Sequence, residues 1–438
     1  MSAIELEMLR ETIRGIDPLR HYARVVEIGR GLVKLAGADG EWCLGDRVEG
    51  RSGEVVWTGE VIALETGRVL VMADALPDGL ALGDRVASLG TPELAPDNSW
   101  IGRVIDPLGR PLDGRPLRRG AVAIPLRSAP PAPGRRRRLG ARLETGTAAF
   151  DTLLPLVEGQ RVGLFAGSGV GKSTLIGKLA RGVRSDVTVI ALVGERGREL
   201  RDFIEEVLGP EGMAQSVIVA ATSDQSPLIR RRCAWSAMAV AEHFRDQGLQ
   251  VLFIADSITR LAEAHREVAL AAGEPATLRG FPPSTSHLIM SLSERAGPGE
   301  GGQGDITAIL SVLVAGSDME EPIADILRGV LDGHVVMDRR IAERGRYPAI
   351  DLLRSVSRSL PQAASEEENR LIGKARHLLG AYERAELMVQ AGLYSPGSDP
   401  LIDEAIRVHA DLDGFIAEDA PDGIDQAFLR LKAILEPE

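Results

Sequence analysis

Five continuous apolar runs in the middle of the chain constrain its fold more than any other feature. Helical stretches separate these runs, as in SPLIRRRCAWSAMAVAEHFRDQG between the third and the fourth. Strands without polar alternation are buried on both faces, which is typical of a parallel sheet covered by helices. We therefore predict an α/β domain over residues 150–361, built on the runs RVGLFA (161–166), VTVIALVG (187–194), SVIVAAT (216–222), VLFIAD (251–256) and ITAILSVLV (306–314).

The segment before this domain has a different texture. Short β segments cut by glycine, such as GEVVWTGEVIAL and GRVLVMA, fill residues 23–127 and predict a small β barrel. The pentapeptide LGDRV occurs twice, at 44–48 and 82–86, which favours two similar hairpins. Residues 128–149 predict a linker, because prolines do not suit a central strand and Arg135–Arg138 are expected to stay solvated. A nucleic-acid role for these arginines is the alternative.

Both ends of the chain have helical patterns. Leu371, Leu378 and Tyr382 fall at helix-compatible intervals, so we predict a C-terminal helical domain over residues 362–438. This region holds 16 Asp and Glu against 7 Lys and Arg, a charge that repels nucleic acid and favours a protein partner. At the other end, residues 1–22 predict a short amphipathic helix that docks a partner or packs on the barrel.

The composition narrows the class of protein. A chain of 438 residues is long enough for two or three domains. It contains no apolar run of about 18 residues and its N-terminus lacks a secretory pattern, so we expect a cytoplasmic protein. Cys43 and Cys233 are far apart and match no metal-ligand spacing, which favours neither a disulfide nor a zinc site.

The first apolar run leads into a phosphate-binding loop. Its glycines let backbone N–H groups turn toward phosphate oxygens at the start of a helix. Lys172 is predicted to contact the β and γ phosphates of ATP, and the Ser173 hydroxyl to ligate Mg²⁺. Ala166 replaces the glycine that usually opens this pattern, at little cost if its φ is negative. The predicted ATP-binding residues of the loop are Gly167, Ser168, Gly169, Val170, Gly171, Lys172, Ser173 and Thr174.

Two further strand ends carry acidic residues. Ligands collect beyond the carboxyl ends of parallel strands, so side chains there are expected near the loop. Asp256 ends VLFIAD and is predicted to help hold Mg²⁺, whereas Glu195 ends VTVIALVGE and is predicted to orient or deprotonate the attacking water. Arg196 would contact the γ phosphate or hold Glu195 in place. Each signal alone is weak, but together on one sheet they predict ATP hydrolysis.

Two residues of YPAIDLLRSVSR (347–358) complete the candidate site. Tyr347 is a candidate for stacking on the purine ring. Arg358 lies far along the chain from the loop, and the sequence leaves three roles open for it. It would serve its own site, neutralise transition-state charge in a neighbour's site, or form a surface salt bridge.

These motifs make the chain similar to the catalytic subunits of the rotary ATPase superfamily. It most closely resembles the type III protein export ATPases of the flagellum and the injectisome. The resemblance implies an N-terminal β barrel, a RecA-like P-loop core with a parallel sheet and a C-terminal helical domain. It implies a homohexameric ring with nucleotide between subunits. The segments that carry it are GRVIDPLGRPLDG (102–114), GLFAGSGVGKSTL (163–175), ALVGERGRE (191–199), DSITRLAEAHREVALAAGEP (256–275), EEPIADILRGVLDGHVVMDRRIAERGRYPAID (320–351), SVSR (355–358) and AGLYSPGSDPLIDEAI (391–406).

The resemblance also implies roles for single residues. In that family the residue that matches Arg358 is an arginine finger that reaches into the adjacent subunit, and the one that matches Tyr347 packs on adenine. Tyr394 would form the other wall of the adenine pocket, or it is a core tyrosine of the helical domain. The implied cofactors are ATP and Mg²⁺.

The implied function is Mg-ATP hydrolysis that energises type III protein export, with the flagellar pathway favoured over the injectisome. The ring would release export substrates from chaperones and promote their entry into a membrane export gate. The implied partners include a coiled-coil central stalk protein and a stator-like regulator, and they would hold the ring at the inner membrane. Nucleic acid is not an expected partner. One segment, GFPPSTSHLIMSLSERAG (280–297), departs from the family pattern, and GPGEGGQG after it is expected to be a flexible loop.

Three other functions fit parts of the pattern. A noncatalytic subunit would lack the base that Glu195 supplies. A rotary synthase β-type subunit would carry GERTREGND where this chain has GERGRE. An RNA-translocating ring needs stacking aromatic residues and basic character in its N-terminal domain. The barrel segment offers only Trp42, Trp57 and Trp100 for that purpose.

Overall fold

The computed structural model describes residues 21–29, 31–38, 40, 42–75, 78–314 and 319–437. The helix predicted near the N-terminus falls outside this range, and Tyr22 already begins a strand. Within the described ranges, no helix combines the length and the apolar character that crossing a bilayer requires.

The first domain is a closed barrel of six strands. Side chains alternate between its inside and its outside, and the interior is filled by residues such as Val25, Val33, Val48 and Val71, each at most 1% exposed. The strands are β1 Tyr22–Gly29, β2 Leu32–Ala36, β3 Arg47–Ser52, β4 Val55–Glu65, β5 Arg68–Ala73 and β6 Arg85–Gly90. Around the barrel they follow the order β1-β2-β5-β4-β3-β6.

The repeated pentapeptide makes the same turn twice in this barrel. Asp46 accepts a hydrogen bond from the backbone N–H of Cys43 at 2.8 Å, and Asp84 accepts one from Ala81 at 2.9 Å. In both turns the preceding glycine has a positive φ. The two turns are therefore alike, because an aspartate that bonds its own upstream backbone closes both. The predicted hairpins are wrong, since the strands joined by each turn, β2 with β3 and β5 with β6, are not neighbours in the barrel.

The barrel ends earlier than the predicted β domain, which extended to residue 127. Strands β7 (Glu93–Leu94) and β9 (Ile124–Pro125) pair with each other outside the barrel, and β8 (Arg103–Ile105) joins the central sheet. All three residues of β8 are buried, and Arg103 pairs with Asp113 at 2.6 Å. The prediction placed β8 in the barrel because a strand of three residues is too short for its sequence to distinguish a barrel strand from an outer strand of a parallel sheet.

The predicted linker is not a free connector. Arg136 forms a salt bridge with Glu294 at 3.1 Å and only 15% of its side chain is exposed, while Arg137 pairs with Asp305 at 2.6 Å. The expectation that all four arginines stay solvated is therefore wrong for Arg136, since acidic partners offset the cost of burying a guanidinium. The GPGEGGQG segment also contacts the linker, because the Glu300 carboxylate accepts a hydrogen bond from a backbone N–H of the linker at 2.7 Å.

The central domain is built on one sheet with the order β17-β16-β10-β15-β13-β11-β12-β8. Neighbouring strands along this path are parallel, except that β17 runs antiparallel to β16. All five predicted apolar runs are strands of this sheet, so the predicted α/β class is confirmed. The remaining strands are β10 Arg161–Ala166, β11 Val187–Glu195, β12 Ser216–Thr222, β13 Val251–Asp256, β14 Gly297–Pro298, which pairs with β15, β15 Asp305–Leu313, β16 Gly333–Met337 and β17 Ile350–Ser357.

Helices cover both faces of this sheet. Successive strand side chains point to opposite faces, so Leu164 and Phe165 belong to two different core clusters. In the central domain the α-helices are α1 Lys172–Gly182, α2 Gly197–Asp202, α3 Gly209–Ala214, α4 Pro227–Asp246, α5 Ile258–Ala271, α6 Ser284–Arg295, α7 Pro322–Val330 and α8 Arg339–Glu343.

The C-terminal region is helical, as predicted. It contains α9 Glu366–Gln390, α10 Pro400–Ala417 and α11 Gly423–Leu435. Helix α9 begins at a capping box in which Ser365 and Glu368 each bond the other's backbone N–H. Leu371 and Leu378 are buried in the same core cluster as α1, so this region packs against the loop-bearing side of the sheet.

Candidate active site

The loop between β10 and α1 presents backbone N–H groups to an anion. Gly171 has a φ of +83° at the N-cap of α1, and no side chain in the described part of the chain caps that helix end. The first N–H groups of the helix are thus available to phosphate oxygens, and the helix dipole favours negative charge there. A Cβ at position 171 would lie 3.2 Å from the Tyr347 ring. Glycine is therefore required by the backbone and by this close approach.

Ala166, the unusual residue of the loop motif, is the last residue of β10 and is fully buried. Among the described residues Arg279 is the one non-glycine residue with a positive φ, so Ala166 keeps a negative φ. The condition on which the sequence prediction rested is met. Alanine at this position therefore costs the loop little.

Lys172 and Asp256 are in contact although the strand that leads into the loop, β10, and the strand that ends at Asp256, β13, are not adjacent. Strand β15 lies between β10 and β13, and the Lys172 ammonium contacts Oδ1 of Asp256 across it. Ser311 on β15 donates a hydrogen bond to the same oxygen at 2.6 Å. Sequence reasoning missed Ser311, and the available signal is a hydroxyl inside an apolar run, because a buried hydroxyl needs a partner.

Glu195 ends β11 at an irregular step of the sheet. The register with β12 shifts between Val193 and Glu195, and Gly194 takes a φ of +70°. Burial, then the negative charge of Asp256 and a hydrogen bond with Glu199, raise the pKa of Glu195 to about 7. A carboxylate with a pKa near neutrality is suited to accept a proton from water.

Arg196 is predicted to contact the γ phosphate or to hold Glu195 in place, and the structure does not show it holding Glu195. Its guanidinium pairs with Glu199 at 3.1 Å and 78% of its side chain is exposed. The arginine beside Glu195 is Arg260, whose Nε lies 3.4 Å from Oε1 of Glu195. Sequence reasoning missed Arg260, although its position one turn after Asp256 at the start of α5 places it at the same edge of the sheet.

Ser173, Glu195 and Asp256 line one cavity of about 200 Å³, together with apolar side chains that include Leu192 and Phe203. A hydroxyl and carboxylate oxygens are the ligand types that Mg²⁺ prefers, so this donor set fits the ion. Ser173 and Asp256 would hold Mg²⁺, which when bound neutralises charge on the transferring phosphate.

Lys172, Glu195 and Asp256 lie where the parallel strands have their carboxyl ends, which we call the carboxyl edge of the sheet. Arg358 lies at the other side, where these strands have their amino ends, which we call the amino edge. Because β17 is antiparallel to β16, Ile350 pairs with Met337 near the loop and Ser357 pairs with Gly333 at the far edge. The Arg358 N–H donates to Asp332, whose carboxylate bonds Arg161 at the start of β10. That edge is about 17 Å from the loop by strand rise, beyond the reach of an arginine side chain.

This placement removes one of the three roles left open for Arg358, because the side chain does not reach its own chain's loop. Its guanidinium donates instead to the backbone carbonyls of Leu331 at 3.1 Å and Arg328 at 3.3 Å. A surface salt bridge is not what holds it in the described structure. The role in a neighbour's site remains.

The two predicted adenine-stacking tyrosines differ in how the structure holds them. Tyr347 lies against the loop at Gly171 and is half-exposed. Tyr394 lies between α9 and α10, and its hydroxyl donates to Oδ1 of Asp403 at 3.0 Å. This contact fixes the connection between the two helices, and a place for Tyr394 beside nucleotide rests on the resemblance alone.

Comparisons with known proteins match nearly the whole chain. Residues 146–357 match the ATP synthase alpha/beta family, nucleotide-binding domain, and residues 364–432 match the T3SS EscN ATPase C-terminal domain. The flagellum-specific ATP synthase of Caulobacter vibrioides is 41% identical over 99% of this chain and 100% of its own length. A type 3 secretion system ATPase of Xanthomonas euvesicatoria is 45% identical over 88% of this chain and 87% of its own.

A solved structure is similar over the same range. It is the assembled ATPase EscN in complex with its central stalk EscO, from the type III secretion system of enteropathogenic E. coli. The TM-score is 0.86 at 34% identity, over 94% of this chain and 100% of that chain.

Proposed function

This chain belongs to the ATP synthase alpha/beta family, grouped with flagellar and type III secretion ATPases, and we propose that it hydrolyses Mg-ATP to energise type III protein export. ATP hydrolysis itself follows from family membership. The observation that carries the assignment of the site is the convergence of Lys172, Glu195 and Asp256 at one edge of the sheet.

Each residue of this site has a role that its chemistry supports. The loop N–H groups and Lys172 would bind and orient the phosphates, while Ser173 and Asp256 would hold Mg²⁺. Glu195 would accept a proton from the water whose oxygen attacks the γ phosphorus. Phe203 and the other apolar walls of the cavity would exclude bulk water, which strengthens these charge interactions.

We propose that the active form is a homohexameric ring in which Arg358 of one copy completes the site of the next. Its place at the far edge of the sheet supports this, because an arginine there is useful to catalysis only if it faces another chain. The solved relative EscN is an assembled ATPase and is bound to a central stalk. By analogy we propose a coiled-coil stalk protein as a partner of this ring.

The remaining partners are proposed on family grounds. The ring would release export substrates from their chaperones and pass them to a membrane export gate, held there by a stator-like regulator. We place the chain in the flagellar pathway first, because its flagellum-specific relative covers 99% of it. The injectisome is the second candidate, supported by the secretion ATPase that is 45% identical.

The test replaces the chromosomal gene by a Glu195→Gln allele in the cell that makes this chain. We expect secreted flagellar hook and filament proteins to fall at least tenfold in the culture medium, with the variant chain still present at normal level. The matched control is Glu211→Gln, which removes an exposed carboxylate from α3 of the same domain. That variant is expected to secrete normally.

Three outcomes separate the candidate functions. Loss of injectisome substrates with normal flagellar export would assign the chain to the injectisome. Loss of both would indicate a shared ATPase. Normal export of both classes, with ATPase activity lost in the purified variant, would contradict the export proposal while leaving the enzyme assignment intact.

A further inference from the structure

A second cavity lies where the barrel meets the central domain. It has a volume of about 240 Å³, several times the roughly 30 Å³ that one water occupies in the liquid. Leu44, Gly45 and Glu60 line it from the barrel, while Arg232 and Trp235 of α4 line it from the central domain. Nothing in the ATP site uses these residues, so the cavity needs its own explanation.

The cavity wall contains a buried cluster of arginines around one carboxylate. Glu60 is 2% exposed and accepts hydrogen bonds at 2.6 Å from both Arg231 and Arg232. Arg127 lies 3.9 Å from the same carboxylate and 4.6 Å above the Trp235 ring. One negative charge therefore faces three guanidinium groups.

Other charged groups lie farther from Glu60. Arg110, Asp74 and Asp106 act electrostatically on the partly buried guanidinium of Arg47, as Arg232 does. Asp46 adds one further negative charge, but its carboxylate already accepts hydrogen bonds from the Cys43 N–H and the Thr91 hydroxyl. Among the described residues, three guanidinium groups thus lie within hydrogen-bond or ion-pair distance of the single carboxylate of Glu60.

Two of the N–H-bearing atoms of Arg232 also lack a hydrogen-bond partner among the residues that the structure describes. Arg232 is 1% exposed, and within the described part of the chain its Nε and Nη1 have no hydrogen-bond partner. Arg231 likewise has an unpartnered Nε. An arginine does not lose its proton at accessible pH, so these N–H groups remain buried hydrogen-bond donors, and an anion is suited to accept hydrogen bonds from them.

We propose that this cavity binds a small tetrahedral oxyanion of the inorganic phosphate type, held by Arg232 and Arg127 between the barrel and the central domain. Arg127 is half-exposed and stands at the cavity mouth, and its guanidinium lies against Gly45. Guanidinium groups match the geometry of phosphate oxygens. A bound oxyanion contacts both domains and therefore stabilises their junction.

The test is a titration of the purified full chain with inorganic phosphate at constant ionic strength, with chloride as the balancing anion. The Lys172→Ala background removes the lysine contact to phosphate at the ATP loop, and the comparison with Arg127→Gln separates the cavity from what the loop N–H groups still bind. Trp235 reports on the cavity because it lies beneath Arg127 and Arg231. We expect a saturable change in tryptophan fluorescence and a rise in melting temperature, with the fluorescence change absent in Trp235→Phe.

The deciding variant is Arg127→Gln, because this side chain is half-exposed, whereas Arg231 and Arg232 are buried in the junction. We expect its half-saturating phosphate concentration to rise at least tenfold in both readouts. The matched control is Arg118→Gln, which removes an arginine 65% exposed near Asp97 and is expected to bind phosphate normally. Absence of a saturable response in the parent chain, or equal responses in the two variants, would overturn the proposal.

Discussion

The two edges of the central sheet carry different parts of the candidate active site. At the carboxyl edge Lys172, Glu195 and Asp256 are brought together within one chain, with Lys172 and Asp256 in direct contact. At the amino edge Arg358 donates to backbone carbonyls and faces away from that site. In the proposed site the first set binds nucleotide within one chain, whereas Arg358 would contribute to catalysis only across a boundary between chains.

The two edges are therefore expected to serve different steps, the carboxyl edge nucleotide binding and the amino edge turnover. In the proposed site a single chain supplies the loop, the Mg²⁺ ligands and the base, whereas Arg358, which would offset transition-state charge, lies on the far edge. Turnover would then depend on assembly, because only a neighbouring copy can bring its Arg358 to the γ phosphate.

The largest expected effect comes from Arg358→Ala. Loss of an arginine finger lowers kcat by about 10³ to 10⁵ while nucleotide affinity is retained. Rings mixed from equal amounts of Arg358→Ala and Lys172→Ala chains should regain activity. In such rings about a quarter of the boundaries between chains pair an intact loop with an intact arginine. Steady-state ATPase measurements on mixed rings test this, with Arg339→Ala, an exposed arginine of α8, as the control.

If rings shown to contain both kinds of chain regain no activity, the proposed difference between the two edges is wrong, because Arg358 would then have no role across the boundary. Full activity of Arg358→Ala alone would have the same consequence. Either result would return Arg358 to a structural role at the end of β17.

The next effect is expected at the carboxyl edge. Glu195→Gln removes the proton acceptor while keeping the size of the side chain, so kcat should fall by about 10² to 10⁴. Binding of a fluorescent ATP analogue should change less than a few-fold, since in the proposed site Lys172, the loop N–H groups and the Mg²⁺ ligands bind the phosphates and Glu195 does not. Retained hydrolysis would remove Glu195 as the base and leave the rest of this edge unchanged.

The pH dependence sharpens the assignment of Glu195. Its pKa is raised to about 7, and it works as a base only when it is deprotonated, so kcat/KM should fall about tenfold per pH unit below that value. The hydrogen bond with Glu199 contributes to the raised pKa. Glu199→Ala should therefore move the acid limb of the profile to lower pH. A profile that is flat between pH 5.5 and 7.5, measured over this chosen range with saturating Mg²⁺, would contradict the role.

The smallest effect is expected for Tyr347→Ala. A half-exposed aromatic ring that stacks on a base contributes about 1 kcal/mol, so KM for ATP should rise roughly fivefold with kcat unchanged. Tyr347→Phe keeps the ring and should behave as the parent chain. An equal loss in both variants would show that the hydroxyl, not stacking, is what matters.

Much of the fold was predictable because its signals are local. Five unbroken apolar runs identified the parallel sheet, and the LGDRV repeat identified two equivalent turns of the barrel. The same local reasoning went wrong where context decides. The sequence of the three residues of β8 does not indicate which sheet they join, and Arg136 is largely covered through its pairing with Glu294, which lies more than 150 positions away in the sequence.

The amino-acid sequence by itself determined which chemical groups this protein has for ATP hydrolysis and at which strand ends they stand, because motif spacing and hydrophobic periodicity are properties of neighbouring residues. Only the tertiary structure decided that Ser311 and Arg260, rather than Arg196, support the two acids, and that Arg358 faces away from its own loop. These facts depend on strand order and strand direction. Both are set by how the whole sheet packs, which no short stretch of sequence encodes.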